Sequence, residues 1–321
     1  MRHLTRDRGG LGVAADRGFA DHGGKGRRSP QARRAGSGEG GGVKYSVFSG
    51  VLPELSAEEV CRHLARHGYD GVEWRVDGEY HFRAATIDRD APRIKALCEA
   101  HGLEVAGLTS YVRPNENDAV DRLIDACRTL GCPRFRIFSA RYDPAVGYFA
   151  LRDRTRGQLE RLARRLEGSG VKALLEIHFG TIVASPALAF ELLREVDPAT
   201  IGVILDPANL VIEGAMDLRM ALDMLGDRVD LVHVKNIRWE QTPAGRWRWR
   251  FDELADGQCD WAEVIAALRA AGYDGWLSLE NLWRVPVRHT GYVDEDLADA
   301  SLPPRDIDQR LQGELAYLRR L

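Results

Sequence analysis

The sequence predicts an α/β protein, a single closed (β/α)8 barrel behind a disordered N-terminal extension. Three observations carry this expectation. From Lys44 onward, short apolar runs alternate with helical patterns until eight strand–helix units are complete, and such alternation implies parallel strands joined by right-handed crossovers. Eight units within residues 43–321 suit a closed barrel, which typically takes about 250 residues, better than an open doubly wound sheet. No G-x-G-x-x-G and no phosphate-binding loop follows any of the strands, which removes the main dinucleotide and nucleotide fingerprints.

Lys44–Phe48 reads as the first strand. Ser56 with Glu59 three residues on is a capping box, and the helix it opens ends at Gly68. Gly71–Arg75 is the second strand; Asp88 opens a helix to His101, stopped by Gly102. Leu103–Leu108 precedes a helix over 117–130, and Arg134–Phe138 precedes one over 150–167. Lys172–Ile177 is the fifth strand, with a helix from Ser185 to Val196; Ile201–Leu205 is the sixth, with a helix over 216–225. Val229–Val234 is the seventh, its helix at Asp260–Ala271, and Gly275–Leu279 is the eighth, before a closing helix over 306–320. One insertion separates the seventh strand from its helix. The Trp/Arg alternation of residues 237–251 around Pro243-Ala-Gly245 reads as a β-hairpin. It is expected to be a lid over the substrate, or else a subunit contact, since aromatic and Arg side chains also favour interfaces.

Charge is nearly balanced over the 321 residues, with 45 Lys plus Arg against 48 Asp plus Glu. Residues 1–42 depart from this average: they hold nine basic and four acidic residues and 12 of the 33 glycines. With no apolar period, they read as a Gly/Arg-rich disordered extension without a function of its own, the natural start being expected at Val43. They lack the apolar core of a secretory signal. Residues 43–321 are acidic, with 36 basic and 44 acidic residues, which argues against a nucleic-acid partner because duplex binding needs a basic footprint. No stretch approaches the roughly 18 apolar residues of a membrane span. Five cysteines without a C-x-x-C pair read as reduced, mostly buried thiols of a cytoplasmic protein. His63 and His67, four apart on a surface helix, read as solvated.

Barrel active sites form where strands end and their following loops begin. Four consecutive units carry a metal-type ligand there: Leu174-Leu-Glu-Ile-His178, Ile204-Leu-Asp-Pro-Ala-Asn209, Leu231-Val-His-Val-Lys-Asn236 and Leu277-Ser-Leu-Glu-Asn281. Strand side chains alternate faces. With Leu175, Ile177, Val232, Val234, Leu277 and Leu279 turned to the helices, Glu176, His178, His233, Lys235 and Glu280 face the lumen. Glu176, Asp206, His233 and Glu280 then converge. Three carboxylates and one imidazole form a mostly oxygen site for one divalent metal ion, Mn²⁺ or Mg²⁺ by preference, with Co²⁺, Fe²⁺ or Zn²⁺ compatible.

Several phrases, in order over about residues 43–285, carry a resemblance: Gly68-Tyr-Asp-Gly-Val-Glu73, Leu175-Glu-Ile-His-Phe-Gly180, Leu205-Asp-Pro-Ala-Asn209, His233-Val-Lys-Asn236, Asp256-Gly-Gln-Cys-Asp-Trp261 and Gly272-Tyr-Asp-Gly-Trp-Leu-Ser-Leu-Glu280. The chain resembles the sugar phosphate isomerase/epimerase members of the xylose isomerase-like TIM-barrel superfamily. The resemblance implies that Glu176, Asp206, His233 and Glu280 ligate the metal, and that Glu176 and Glu280 also move protons. Many members have a substrate-binding His three residues after the metal Asp, where this chain has Asn209; an amide can hydrogen-bond a hydroxyl but carries no charge. Family members often pair, so the resemblance also implies a homodimer. Further substrate-binding candidates are His178, Lys235, Glu73 and Arg75 at the strand ends, His81 in the loop beyond, and Arg238 and Trp239 of the hairpin. Arg136, Arg141 and Arg238 are cations available to a phosphate.

The expected function is a metal-dependent isomerase or epimerase of a small sugar, keto-sugar or polyol, working by proton transfer through an enediolate. The first rival is an inosose dehydratase-like lyase on the same scaffold, which begins with the same deprotonation. An apurinic-type endonuclease shares the barrel but resembles a histidine-rich multi-zinc site, and here only His81, His178, His233 and His289 lie near the active face. A metal-binding protein without catalysis would not need the hairpin or the inward His178 and Lys235.

Overall fold

The computed structural model describes residues 42–78, 81–282 and 306–321. Most of the expected extension and His289 lie outside the described residues. Eight parallel strands close into a barrel: β1 (Lys44–Phe48), β2 (Gly71–Val76), β3 (Glu104–Ser110), β4 (Arg134–Ile137), β5 (Lys172–Glu176), β6 (Ile201–Leu205), β7 (Val229–Val234) and β10 (Trp276–Leu279). The remaining pair, β8 (Asn236–Gln241) and β9 (Trp247–Asp252), is the expected antiparallel hairpin, with Trp239 opposite Trp249. Around the barrel lie α1 (Ala57–His67), α2 (Ile87–Ala100), α3 (Asn117–Leu130), α4 (Tyr148–Leu166), α5 (Pro186–Leu193), α6 (Pro207–Glu213), α7 (Leu218–Leu225), α8 (Trp261–Ala270) and α9 (Ile307–Arg320).

Local signals account for the helix ends. Ser56 and Glu59 form the full capping box at the start of α1, and Gly68 ends that helix at φ +81°, a left-handed conformation that glycine adopts without strain. Helix α6 was not expected from periodicity. Its seven residues are too few to display an apolar period. It forms because Asp206 caps it and Pro207 occupies the first turn, where a missing N–H costs nothing.

Two apolar layers follow from strand alternation. Leu175, Ile177, Val232, Val234, Leu277 and Leu279 belong to the core shared with the helices. Ala106, Leu174, Ile204, Leu231 and Trp276 form a separate cluster, on the alternate, lumenal positions of their strands. This packed layer is the floor beneath the inward polar residues. All five cysteines are free and buried. Among the described residues, no helix is long and apolar enough to cross a membrane.

Helix α9 closes the ring against α1. Tyr69 donates to Leu311 O at 2.9 Å and Arg319 to Gly68 O at 2.6 Å. His63 and His67 are not simply solvated, as expected: both meet Asp308, which α9 delivers from the far end of the sequence. Inside the same helix, burial pushes the Glu314 carboxyl up to about 8 from an ordinary 4.5, and Asn281 donates to it at 3.0 Å. A folded pKa above the unfolded one stabilises the fold at low pH and loses that contribution as pH rises through the folded value. Tm is therefore expected to fall between about pH 4.5 and 8 through this group, and Glu314→Gln to flatten that slope. An identical slope in the variant would show that the buried carboxyl is ionised throughout.

Candidate active site and metal centre

Strands β5, β6, β7 and β10 lie side by side. Their ends bring Glu176, Asp206, His233 and Glu280 together, with one ligand-type atom of each within 4.8 Å of the others. Glu176 follows Leu174 on the lumenal face of β5. Asp206 is oriented by the helix it caps. Its Oδ1 accepts the Asn209 N–H at 3.1 Å at the start of α6, which leaves Oδ2 for the quartet. His233 Nδ1 stands 3.1 Å from Glu280 Oε2, 3.3 Å from Glu176 Oε1 and 4.0 Å from Asp206 Oδ2.

A surrounding set of residues orients these four. Glu73 Oε1 accepts from His233 Nε2 at 3.1 Å and from the Thr109 hydroxyl. A proton on Nε2 leaves Nδ1 as the ligand atom, the usual carboxylate–histidine–metal arrangement. Arg136 Nη1 donates to Glu176 Oε2 at 2.5 Å, and its guanidinium lies 4.5 Å from the Tyr111 ring centre. Lys235 Nζ stands 2.6 Å from Asp206 Oδ2 and 3.0 Å from Glu280 Oε2.

The residues fit a divalent ion. Glu176 Oε1, Asp206 Oδ2 and His233 Nδ1 are buried and turned to one another, and apart from the Lys235 ammonium 2.6 Å from Asp206 Oδ2 they make no well-formed hydrogen bond among the described residues. Buried polar atoms without well-formed hydrogen bonds are costly, and a cation coordinated at their meeting point would satisfy all three. Three carboxylates and one imidazole suit an oxygen-preferring or borderline metal.

Electrostatics separate the carboxylates. Burial pushes every one of them up. At Glu176 burial is the largest single influence, but Arg136, His178 and His233 together outweigh it and hold the carboxyl well below its usual range. At Glu280, His233 and Lys235 outweigh it and hold the carboxyl at about 2. At Asp206 burial wins and the pKa is raised. Burial lowers the His233 pKa, but Glu280 and Glu73 more than reverse this and hold it well above the usual imidazole value. A metal held here would compete with a proton on His233 and would bind more tightly as pH rises.

Above the quartet is a pocket with Tyr111, Phe179, Trp249 and Phe251 among its walls; Arg75, Arg136, His178, Lys235 and Glu280 supply polar groups. His178 stacks on Phe179 with ring centres 4.5 Å apart. Arg75 does not pair with Glu73; it reaches Asp77 at 3.0 Å and lies 5.1 Å from the Tyr111 ring centre. Five expected contact residues do not line this pocket, Glu73 among them, since it is held by His233 and Thr109. Asn209 is fully buried and donates to Ile177 O at 3.2 Å. His81 pairs with Leu52 O at 3.0 Å. Arg238 is taken by Asp252 and by Asp256 O, at 2.5 and 2.8 Å. The Trp239 indole N–H points to Val211 O at 3.5 Å. Trp249 of the expected lid does wall the pocket, whereas Tyr111 and Phe251 were not singled out; Arg136, a cation available to a phosphate by sequence, is engaged by Glu176.

The family model for the xylose isomerase-like TIM barrel matches residues 61–302. An inosose dehydratase of Lacticaseibacillus casei is 29% identical over 132 residues, 38% of this chain and 44% of its own length. The match thus spans less than half of that relative. An inosose dehydratase of Geobacillus kaustophilus is 26% identical over 262 residues, 72% of this chain and 82% of that protein. Among solved structures, a 3-keto-D-glucoside 4-epimerase of E. coli superposes with a TM-score of 0.64 at 17% identity, covering 87% of this chain and all of the other. With its closed barrel and a family match over most of the chain, the protein belongs to the xylose isomerase-like TIM barrel family.

Proposed function

We propose that the chain is a metal-dependent enzyme that moves a proton at a carbon next to a carbonyl, as an isomerase or epimerase of a small sugar, keto-sugar or polyol. The observation that carries this reading is the buried quartet beneath an aromatic pocket, with Glu280 shared between the two. Glu176, Asp206, His233 and Glu280 would hold the ion, which when bound polarises a carbonyl and acidifies the adjacent C–H. Glu280 Oε2 is engaged by His233 and Lys235, whereas no described residue bonds Oε1, the atom that would take the proton. Trp249, Phe251 and Phe179 exclude water and offer flat faces to sugar C–H groups.

One observation favours dehydration as a second reading. Glu176 Oε2 is held by Arg136, so Glu176 is a poor partner for a second proton transfer from the opposite face. Elimination needs one base and one acid, and Lys235 Nζ beside Glu280 supplies the acid. The inosose dehydratase relatives are in line with this alternative. Turnover of keto-sugars and inososes in D₂O separates the readings. A product of unchanged composition with solvent deuterium next to the carbonyl supports isomerisation or epimerisation; one lighter by a water supports the lyase. Unchanged composition without deuterium would mean a hydride shift and would remove the acid–base roles.

A further inference from the structure

Three potential ligands that take no part in the pocket meet at the seam where the ring of helices closes. His63 and His67 are one turn apart on α1 and therefore share a face. Asp308 sits in the first turn of α9. His63 Nδ1 and His67 Nε2 each lie 2.7 Å from the same oxygen, Asp308 Oδ1. We propose that His63, His67 and Asp308 form a second divalent-metal site, selective for Zn²⁺ or a similarly borderline ion, that clamps α9 to α1.

Geometry and donor chemistry agree. Two imidazole nitrogens and one carboxylate oxygen already share one spot, the ligand atoms lying within 4.8 Å of one another. Opening the two contacts of 2.7 Å by about half an ångström reaches the N···O spacing of a tetrahedral zinc site, whose bonds are about 2.0–2.2 Å. Both rings already converge on Asp308 through one oxygen, Oδ1, so the three donors face a single point. Arg66 Nη1 lies 3.3 Å from the other oxygen, Oδ2. That contact orients the carboxylate to ligate through Oδ1 alone, although the nearby charge weakens cation binding. Side-chain exposures of 20% for His63, 11% for His67 and 36% for Asp308 leave an entry path and room for water to complete the coordination.

The donor sets of the two sites differ in a way that sorts metals. The barrel quartet is three-quarters oxygen, whereas the α1–α9 site is two-thirds nitrogen, a set that favours Zn²⁺ over Mn²⁺ or Mg²⁺. Hydrogen bonds already cross this seam, from Tyr69 to Leu311, from Arg319 to Gly68, and between Asp308 and His63, His67 and Arg66. A bound ion would replace the two histidine–aspartate hydrogen bonds with three coordinate bonds tying the first helix to the last.

The test uses the full chain, stripped of metal and given two equivalents of Zn²⁺. Anomalous maps at the zinc edge are expected to show a peak bonded to His63 Nδ1, His67 Nε2 and Asp308 Oδ1, whatever the barrel site binds. His63→Gln/His67→Gln should lose that peak, bind Zn²⁺ at this locus at least tenfold more weakly, and keep wild-type turnover. No peak there, or one only at millimolar zinc, would overturn the proposal. So would wild-type zinc stoichiometry and affinity in the double variant. The map of the unaltered chain decides the matter even if that variant folds poorly.

Discussion

Glu280→Gln is expected to lower kcat by about 10²–10⁴, the usual contribution of a positioned general base, measured at metal concentrations high enough to offset the weaker binding that an amide ligand brings. Gln keeps the shape and one carbonyl oxygen but cannot accept a proton at neutral pH. The reason for choosing Glu280 over Glu176 is their unequal second oxygens. Glu280 Oε2 faces His233 and Lys235, and its 12% exposed side chain borders the pocket. Glu176 Oε2 lies 2.5 Å from Arg136 Nη1, both side chains being at most 5% exposed. Removing one member of a buried ion pair strands the other, at about 3–5 kcal/mol. Glu176→Gln should therefore act first on stability, and Glu280→Gln first on turnover. Solvent deuterium exchange into bound substrate, measured with unfolding curves for both variants, distinguishes them. Equal losses of exchange with unchanged stability would mean that both glutamates act as bases.

The site was legible where strand parity governs it. Leu174 and Glu176, Leu231 and His233, and Trp276 and Ser278 are each two residues apart, so an inward apolar floor and an inward polar layer follow from alternation alone. What escaped depends on distance across the fold. Arg136 has the same inward parity in Arg134-Phe-Arg136, but nothing local says that Glu176, forty residues on, will take its charge. Trp239 and Trp249 are directly opposed on the hairpin and hence share a face. Yet Trp249 walls the pocket while Trp239 lies against α6. Parity gives the face of a ribbon and not which strand lies nearer the barrel axis. His63 and His67 fail in the same way, since their carboxylate partner is more than 240 residues away in the chain.

Asp206→Asn is expected to abolish Mn²⁺ binding at the barrel site, and with it activity, while the metal-free chain stays folded. The separation is unusually clean because Asp206 has two roles on two oxygens. Oδ1 caps α6 through the Asn209 N–H, and Asn is as good a cap as Asp, so the helix loses little; an Ala there would cost about 0.5–2 kcal/mol. Oδ2 is the buried oxygen turned to the quartet and to Lys235. Replacing the carboxylate by an amide removes one of three anionic ligands, while the Lys235 ammonium keeps Glu280 Oε2 at 3.0 Å as its counter-ion, so no buried charge is left unpaired. A ligand at 1,000 times its dissociation constant stabilises the fold by about 4 kcal/mol. The wild-type chain should therefore gain several degrees in Tm on adding Mn²⁺, and Asp206→Asn should gain almost none. Manganese is the informative ion because the nitrogen-rich α1–α9 cluster disfavours it. Elemental analysis after dialysis should find about one Mn²⁺ per wild-type chain and close to none in the variant. Full manganese content in Asp206→Asn, or an equal Tm gain in both chains, would show that the converging oxygens are not the metal's ligands.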